Sequence, residues 1–360
     1  MRSPFFVLAV GLALGAAPAA AHEVDPLTGR GSPLPDAAPV ANALLDGILA
    51  DAAAATNRRL GCGAAPARAQ RVLAAQVHRR TGPDELVWHE GFRRAFGHGR
   101  YSALLETDPR IARLDFPHRE DLFGDIGLRQ SVLLHTIGPA STVNLAGVWV
   151  GTDKVNHFFA EGYTYARKSD WGLDPARAYR WGTRTERTYY GKATSKAFSW
   201  ADLEANAAGY RFYTGLLEPG SALGLDAAGC VVPVRAWDWA AVVAPTWDEA
   251  QNPPHYTRPI QDAISDVLED RREEACAAWE ALGGEAYSAR LEATLTEVPA
   301  VVVGRHPPRK DPYTLGALCG GERSASVDAP PAGAPDARGA GALVRRAVGA
   351  RGRAGRAGPG

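Results

Sequence analysis

The sequence predicts a mainly α-helical fold: a multi-helix globular domain around a central helix pair, with a few short edge strands. Three observations lead there. Apolar residues recur at i, i+3, i+4 and i+7 in segment after segment, the period of a helix with one buried stripe. Alternation suited to a half-buried strand is confined to residues 142–150 and 230–234. Two separated segments, 151–163 and 198–209, are helical in period and carry facing sets of ionisable side chains.

The 360 residues open with Met1-Arg2, an apolar run from Phe5 to Leu14, and Ala19-Ala20-Ala21 before His22. That is the layout of a secretory signal peptide cut after Ala21, which predicts a periplasmic or secreted protein. No later run offers the ~18 uninterrupted apolar residues of a membrane span; residues 131–150 come nearest and are broken by His135, Gly138, Pro139 and Asn144. Forty basic residues balance forty acidic ones, so no global field recruits nucleic acid, although peripheral membrane contact stays open. The four cysteines, in an oxidising compartment, predict two disulfides. Of three connectivities, Cys276 with Cys319 would tie the C-terminal segment to a helix and leave Cys62 with Cys230.

Residues 22–320 read as one domain with a possible sub-boundary near 220–230. Asp36 caps a first helix with Val40, Leu44, Leu45 and Ile48 on its stripe and Gly61 as its stop. Helices follow over 66–80 and 84–96, then a short one from Tyr101 and another over 126–136. Residues 142–150 form a short strand or an extended approach to the helix that begins at Thr152. Asp174-Pro175 opens a brief helix to Trp181-Gly182. Residues 183–196 form a polar loop, either a surface connection or a lid over the helix pair. Cys230–Val234 is an edge strand, because Pro233 cannot donate to a ladder. Trp237, Trp239 and Trp247 are core under a loop or the lining of a sugar site. A long helix spans 260–282, a shorter one 285–297, and residues 321–360, rich in Ala, Gly and Arg, form a disordered tail.

On the helix from Thr152, Val155, Phe158, Phe159, Gly162 and Ala166 share the core side, while Asp153, His157 and Glu161 follow one another opposite, with Lys154 at their edge. Thr152 is its expected cap. The partner helix opens with Ser199 and Asp202 in a variant capping box and sets Asp202, Asn206, Gly209 and Tyr213 on one face. Glycine inside a helix costs about 1 kcal/mol, so Gly209 predicts that another backbone passes close by. Asp202 and Asn206 would then meet Asp153, Lys154 and His157.

Three chemistries compete for this seam. A divalent metal would take Asp153, His157 and Asp202; the full run to Glu161 spans about 12 Å at 1.5 Å per residue, too long for one ion. Acid–base hydrolysis would use His157 as base with Asp202 or Glu161 orienting it, acting through water because no nucleophile elbow is present. The third is a buried polar network of Asp153, Lys154, His157, Asp202 and Asn206 that fixes helix register, leaving the protein a structural or binding role toward an envelope component or small ligand.

Asp153-Lys154-x-x-His157-Phe158 followed by Ser199-x-x-Asp202-Leu203-x-Ala205-Asn206-x-x-Gly209 resembles the helical core of VanZ-like proteins and of related bacterial envelope proteins of unknown function. The resemblance covers residues 151–217. It implies a helix pair in which Asp153, Lys154, His157, Asp202 and Asn206 are the shared polar positions, with no chemistry attached to them. The membrane-embedded VanZ branch differs in having spans.

Overall fold

The computed structural model describes residues 23–83, 99–116, 120–131, 134–135, 139–188, 191, 196–281, 283–286, 289 and 315–320. Among these, helices dominate and the strands form two short antiparallel pairs. α1 (Ala38–Leu60) has Pro39 in its first turn and stops at Gly61, whose φ of 72° suits glycine. Ala37 rather than Asp36 is the N-cap residue, though Asp36 Oδ1 still accepts from the Ala38 amide at 2.9 Å. α2 (Pro66–Thr81) packs on α1, and α3 (Arg100–Thr107) brings in Tyr101, whose hydroxyl donates to the Ala41 carbonyl at 2.6 Å. The helix expected over 84–96 lies outside the described residues. Of the helix expected over 126–136, residues 134–135 are helical, but 126–131 form turns, with Gln130 Oε1 accepting from the Gly127 amide at 2.7 Å.

The single strand expected at 142–150 is a hairpin. β1 (Thr142–Leu145) pairs with β2 (Val148–Gly151) through Ala146 and Gly147, both at positive φ. That is the backbone of a tight primed turn, and alanine in its first position departs from the Asn-Gly that usually marks one in a sequence. β2 runs directly into α4 (Thr152–Asn156), a π-helical turn (His157–Glu161) and α5 (Gly162–Lys168). α6 (Pro175–Arg187) is capped by Asp174 and continues beyond Gly182, so the polar loop expected from 183 is helical to Arg187. Gly182 is not a stop: a Cβ there would overlap the Tyr165 ring and hydroxyl. α7 (Trp200–Thr214) follows, then the hairpin of β3 (Leu223–Leu225) and β4 (Val231–Pro233). The long helix expected over 260–282 is two, α8 (Arg258–Asp270) and α9 (Arg272–Ala281), broken at Arg271, and α10 (Leu315–Cys319) closes the described chain.

The described residues form one compact unit with two hydrophobic cores. The larger joins α1–α7 and both hairpins and contains Trp239 and Trp247, each almost wholly buried, which places these tryptophans in the core. The smaller gathers Leu122, Phe123 and Ile126 against Ile260, Ile264, Leu268, Trp279 and Leu315. The hairpin at 223–233 belongs to the larger core, and residues on either side of Asp248 divide between the two. Both disulfides connect as expected, Cys62 with Cys230 and Cys276 with Cys319, and suit an oxidising compartment.

α1 is long and apolar enough, by length and composition, to cross a membrane, although Asp46 and Asp51 leave it without an unbroken apolar run. Three of its polar side chains are engaged within the fold: Asp46 Oδ1 accepts from the Trp237 amide, Asn42 Oδ1 from the Trp239 amide, and Asn57 pairs both ways with Val231, all at 2.8–2.9 Å.

Candidate functional site

The seam is built where three chain segments meet: α4 with its π turn, α7, and the buried stretch Thr246–Asn252. Gly162 and Gly209 set the distance between the first two. A Cβ on Gly209 would lie 1.9 Å from the Phe158 carbonyl oxygen, and one on Gly162 would lie 2.5 Å from the Gly209 Cα. No other residue type permits that approach, and it brings side chains of the two helices into direct contact.

At the centre stands the Lys154 ammonium, with Asp153 Oδ2 at 2.5 Å, Asp202 Oδ1 at 2.7 Å and Glu249 Oε1 at 2.7 Å. Lys154 is 1 % exposed and none of the three carboxylate residues exceeds 4 %. Burial alone would strip the lysine of its proton; the three carboxylates overrule it and hold its pKa well above the ordinary value. Burial pushes Asp153 and Glu249 up, with Lys154 pulling both back.

His157 occupies the next position along. Its Nδ1 lies 3.1 Å from Asn206 Oδ1 and its Nε2 3.3 Å from Asp202 Oδ2. Burial lowers the His157 pKa and keeps the ring neutral, despite the nearby Asp202 charge. Burial also works against the Asp202 carboxylate, yet its pKa is lowered. A positive His157 would explain that, but the ring is neutral, so the Lys154 ammonium carries the effect. Asn206 Nδ2 donates to the Tyr165 hydroxyl at a long 3.5 Å.

The capping box at Ser199 is half made, and the missing half explains the site. Ser199 Oγ accepts from the Asp202 amide at 3.1 Å, as expected. The Ser199 amide, which the third helical carboxylate would ordinarily receive, donates instead to Glu186 Oε1 of α6 at 3.0 Å. Asp202 is thereby released to face Lys154 and His157. The Ser199 hydroxyl in turn donates to Glu249 Oε1 at 2.7 Å.

Asp153, Lys154, His157, Asp202 and Asn206 are therefore all brought together. Two expectations change. Thr152 does not cap α4: its hydroxyl donates to Glu106 Oε1, and Asp153 Oδ1 takes the Lys154 amide at 2.7 Å. Glu161 follows His157 through a π turn, not the α turn expected there. Its residue is partly exposed, but Oε2 is cut off from water and makes no hydrogen bond; burial, then the Asp202 charge, pushes its pKa up to about 7. Asp153, His157 and Asp202 have ligand atoms that all lie within 4.8 Å of one another, and Glu161 feels the Asp202 charge without belonging to that set.

Glu249 and Glu186 are seam residues that periodicity and motif spacing do not single out. The run Trp247-Asp248-Glu249-Ala250-Gln251-Asn252 does offer a signal, since so many polar side chains after a buried tryptophan need partners inside the protein. No protein-family model, curated protein or solved structure matches the chain.

Proposed function

We propose that this is an exported cell-envelope protein with a binding role, held by α6 against an anionic surface, and that the seam serves as its internal lock. The setting is the one that the VanZ-like resemblance implies, with the helix pair at 152–168 and 200–214 as the frame of the body. The observation that carries the proposal is the outer face of α6. Arg177, Arg180 and Arg184 are exposed and recur at intervals of three and four, which confines them to an arc of about 60° on a helix of 3.6 residues per turn, while Arg187 extends the line with its guanidinium 5.9 Å from the Phe198 ring centre. The only acid within α6, Glu186, is buried on the opposite side. Asp174, at the N-terminus, is committed to the cap.

Two further features favour a lipid surface. Leu173, just before α6, is 79 % exposed, and Lys168 lays its ammonium 5.3 Å from the Trp181 ring centre on the same flank. Basic side chains beside an apolar tip suit anionic headgroups over hydrocarbon. The seam, by contrast, offers a substrate no way in: its five polar residues are each at most 4 % exposed. Hydrolysis through His157 and Asp202 would first require that seam to open.

The test is pelleting of the purified chain with phosphatidylglycerol vesicles and with phosphatidylcholine vesicles. Binding to the anionic vesicles alone, abolished by high salt and reduced about tenfold in Arg180→Glu/Arg184→Glu, is expected. Equal binding to both vesicles, or none to either, sinks the proposal.

A further inference from the structure

The geometry points to a closed binding site for one first-row divalent transition-metal ion, zinc or manganese in character, held by Asp153, His157 and Asp202. The histidine supplies the first argument. Asn206 Oδ1 can only accept, so the proton of the His157 ring sits on Nδ1, donated across 3.1 Å. Nε2 is left with its lone pair, in a side chain 4 % exposed, making no hydrogen bond and facing Asp202 Oδ2 at 3.3 Å. Two acceptors directed at one another across that gap repel unless a proton or a metal ion lies between them, and a metal ion is the one that leaves the Nδ1 proton in place.

Distance and charge give the second and third arguments. One ligand atom from each of Asp153, His157 and Asp202 falls within 4.8 Å of the other two. Bonds of about 2.0–2.2 Å to a tetrahedral ion place its ligands about 3.3–3.6 Å apart, so only a small contraction is needed. Asp153, Asp202 and Glu249 bring three carboxyl groups to a single ammonium, Lys154, an excess of acid over base in a dry interior that a divalent ion would offset. Lys154 holds Asp153 Oδ2 at 2.5 Å and Asp202 Oδ1 at 2.7 Å, and leaves Asp202 Oδ2, the oxygen that faces His157, to the ion.

The donor set selects the metal class. One imidazole nitrogen with carboxylate oxygens is borderline in softness, unsuited to copper(I), and too few in oxygens for calcium. Three protein ligands leave a fourth tetrahedral position for a further donor, and the burial of all three residues closes it to bulk solvent. Asn206 is a positioning residue here: it touches no ion and fixes which ring nitrogen is free.

The full chain, stripped with chelator, is titrated with Zn²⁺ and separately with Mn²⁺ by calorimetry, with thermal melting alongside. One ion per chain is expected, with a higher melting temperature on loading. His157→Ala should lose the ion. Because that variant removes a buried side chain and its folding is at risk, Asn206→Ala provides the second arm: a native circular-dichroism spectrum with metal affinity weakened about 10–100-fold. Nine histidines are present in the sequence, so surface uptake is a real competitor. Binding undiminished in a folded His157→Ala protein, or in Asn206→Ala, would assign the ion to the surface and overturn the site. Failure of the native chain to bind either metal stoichiometrically would do the same.

Discussion

Glu161 shows how one side chain can report on the state of the seam. Its carboxyl loses a proton near pH 4.5 in an unfolded chain but only at about 7 in the folded one, because burial and the Asp202 charge both disfavour the anion. Between those two values the folded state holds the extra proton, so stability is highest below the window and falls as pH rises through it. Glu161→Gln never ionises and removes that dependence. Relative to the native chain, the metal-free variant should therefore gain about 1–3 kcal/mol between pH 5 and pH 8, an allowance that discounts the partial exposure of the residue. Urea unfolding at the two pH values measures it. A difference that does not change with pH would mean the carboxylate reaches water in the folded protein. The neighbouring His157 works with the opposite sign: kept neutral by burial, it lowers stability as the unfolded ring takes up its proton in acid.

At the scale of elements, the crossing of α5 and the π turn with α7 turns on two glycines. Gly209→Ala would drive a methyl to 1.9 Å from the Phe158 carbonyl, a backbone atom with nowhere to go, so the helices must part. Loss of about 2–4 kcal/mol is expected, in the range of overpacking and strain, and it would disturb the Lys154 cluster as well. Gly47, inside α1 with nothing within 4 Å of its virtual Cβ, is the control: Gly47→Ala should gain about 0.5–1 kcal/mol from helix propensity alone. Thermal melts of the two variants moving in the same direction would refute the packing account. The close approach was legible in the sequence, because glycine weakens a helix interior and a neighbouring backbone is what makes its lack of a side chain useful there. The π turn was not, since no residue in His157-Phe158-Phe159-Ala160-Glu161 demands it. Likewise the polar stretch after Gly182 looked like loop until Tyr165 supplied a reason for that glycine.

For the molecule as a whole, the two cores meet at Thr246–Asn252. Arg30 pairs with Asp248 in full burial, Glu249 reaches the seam, and the Ala250 carbonyl receives the Leu315 amide at 3.1 Å. Pattern along the chain shows only that the polar groups of this run need partners inside the protein, not which distant residues supply them; the cysteine count, a global feature, was readable. The two disulfides should nonetheless behave differently. Loop-closure entropy alone ranks them close together, about 5 kcal/mol for the 168-residue separation of Cys62 and Cys230 and about 4 for the 43 of Cys276 and Cys319. What differs is what each bond restrains. Cys62–Cys230 staples α1 to the β3–β4 hairpin within the large core, where Asn57 and Val231 already exchange two hydrogen bonds, so the staple acts on the unfolding of that whole core. Cys276–Cys319 tethers only the five-residue α10, which can detach while the rest stays folded. Cys62→Ser/Cys230→Ser should shift the urea midpoint of the whole protein. Cys276→Ser/Cys319→Ser should leave that midpoint nearly in place and speed amide exchange in α10. Equal midpoint shifts in the two variants would instead show that α10 unfolds with the main body, and that the smaller core is no independent unit of stability.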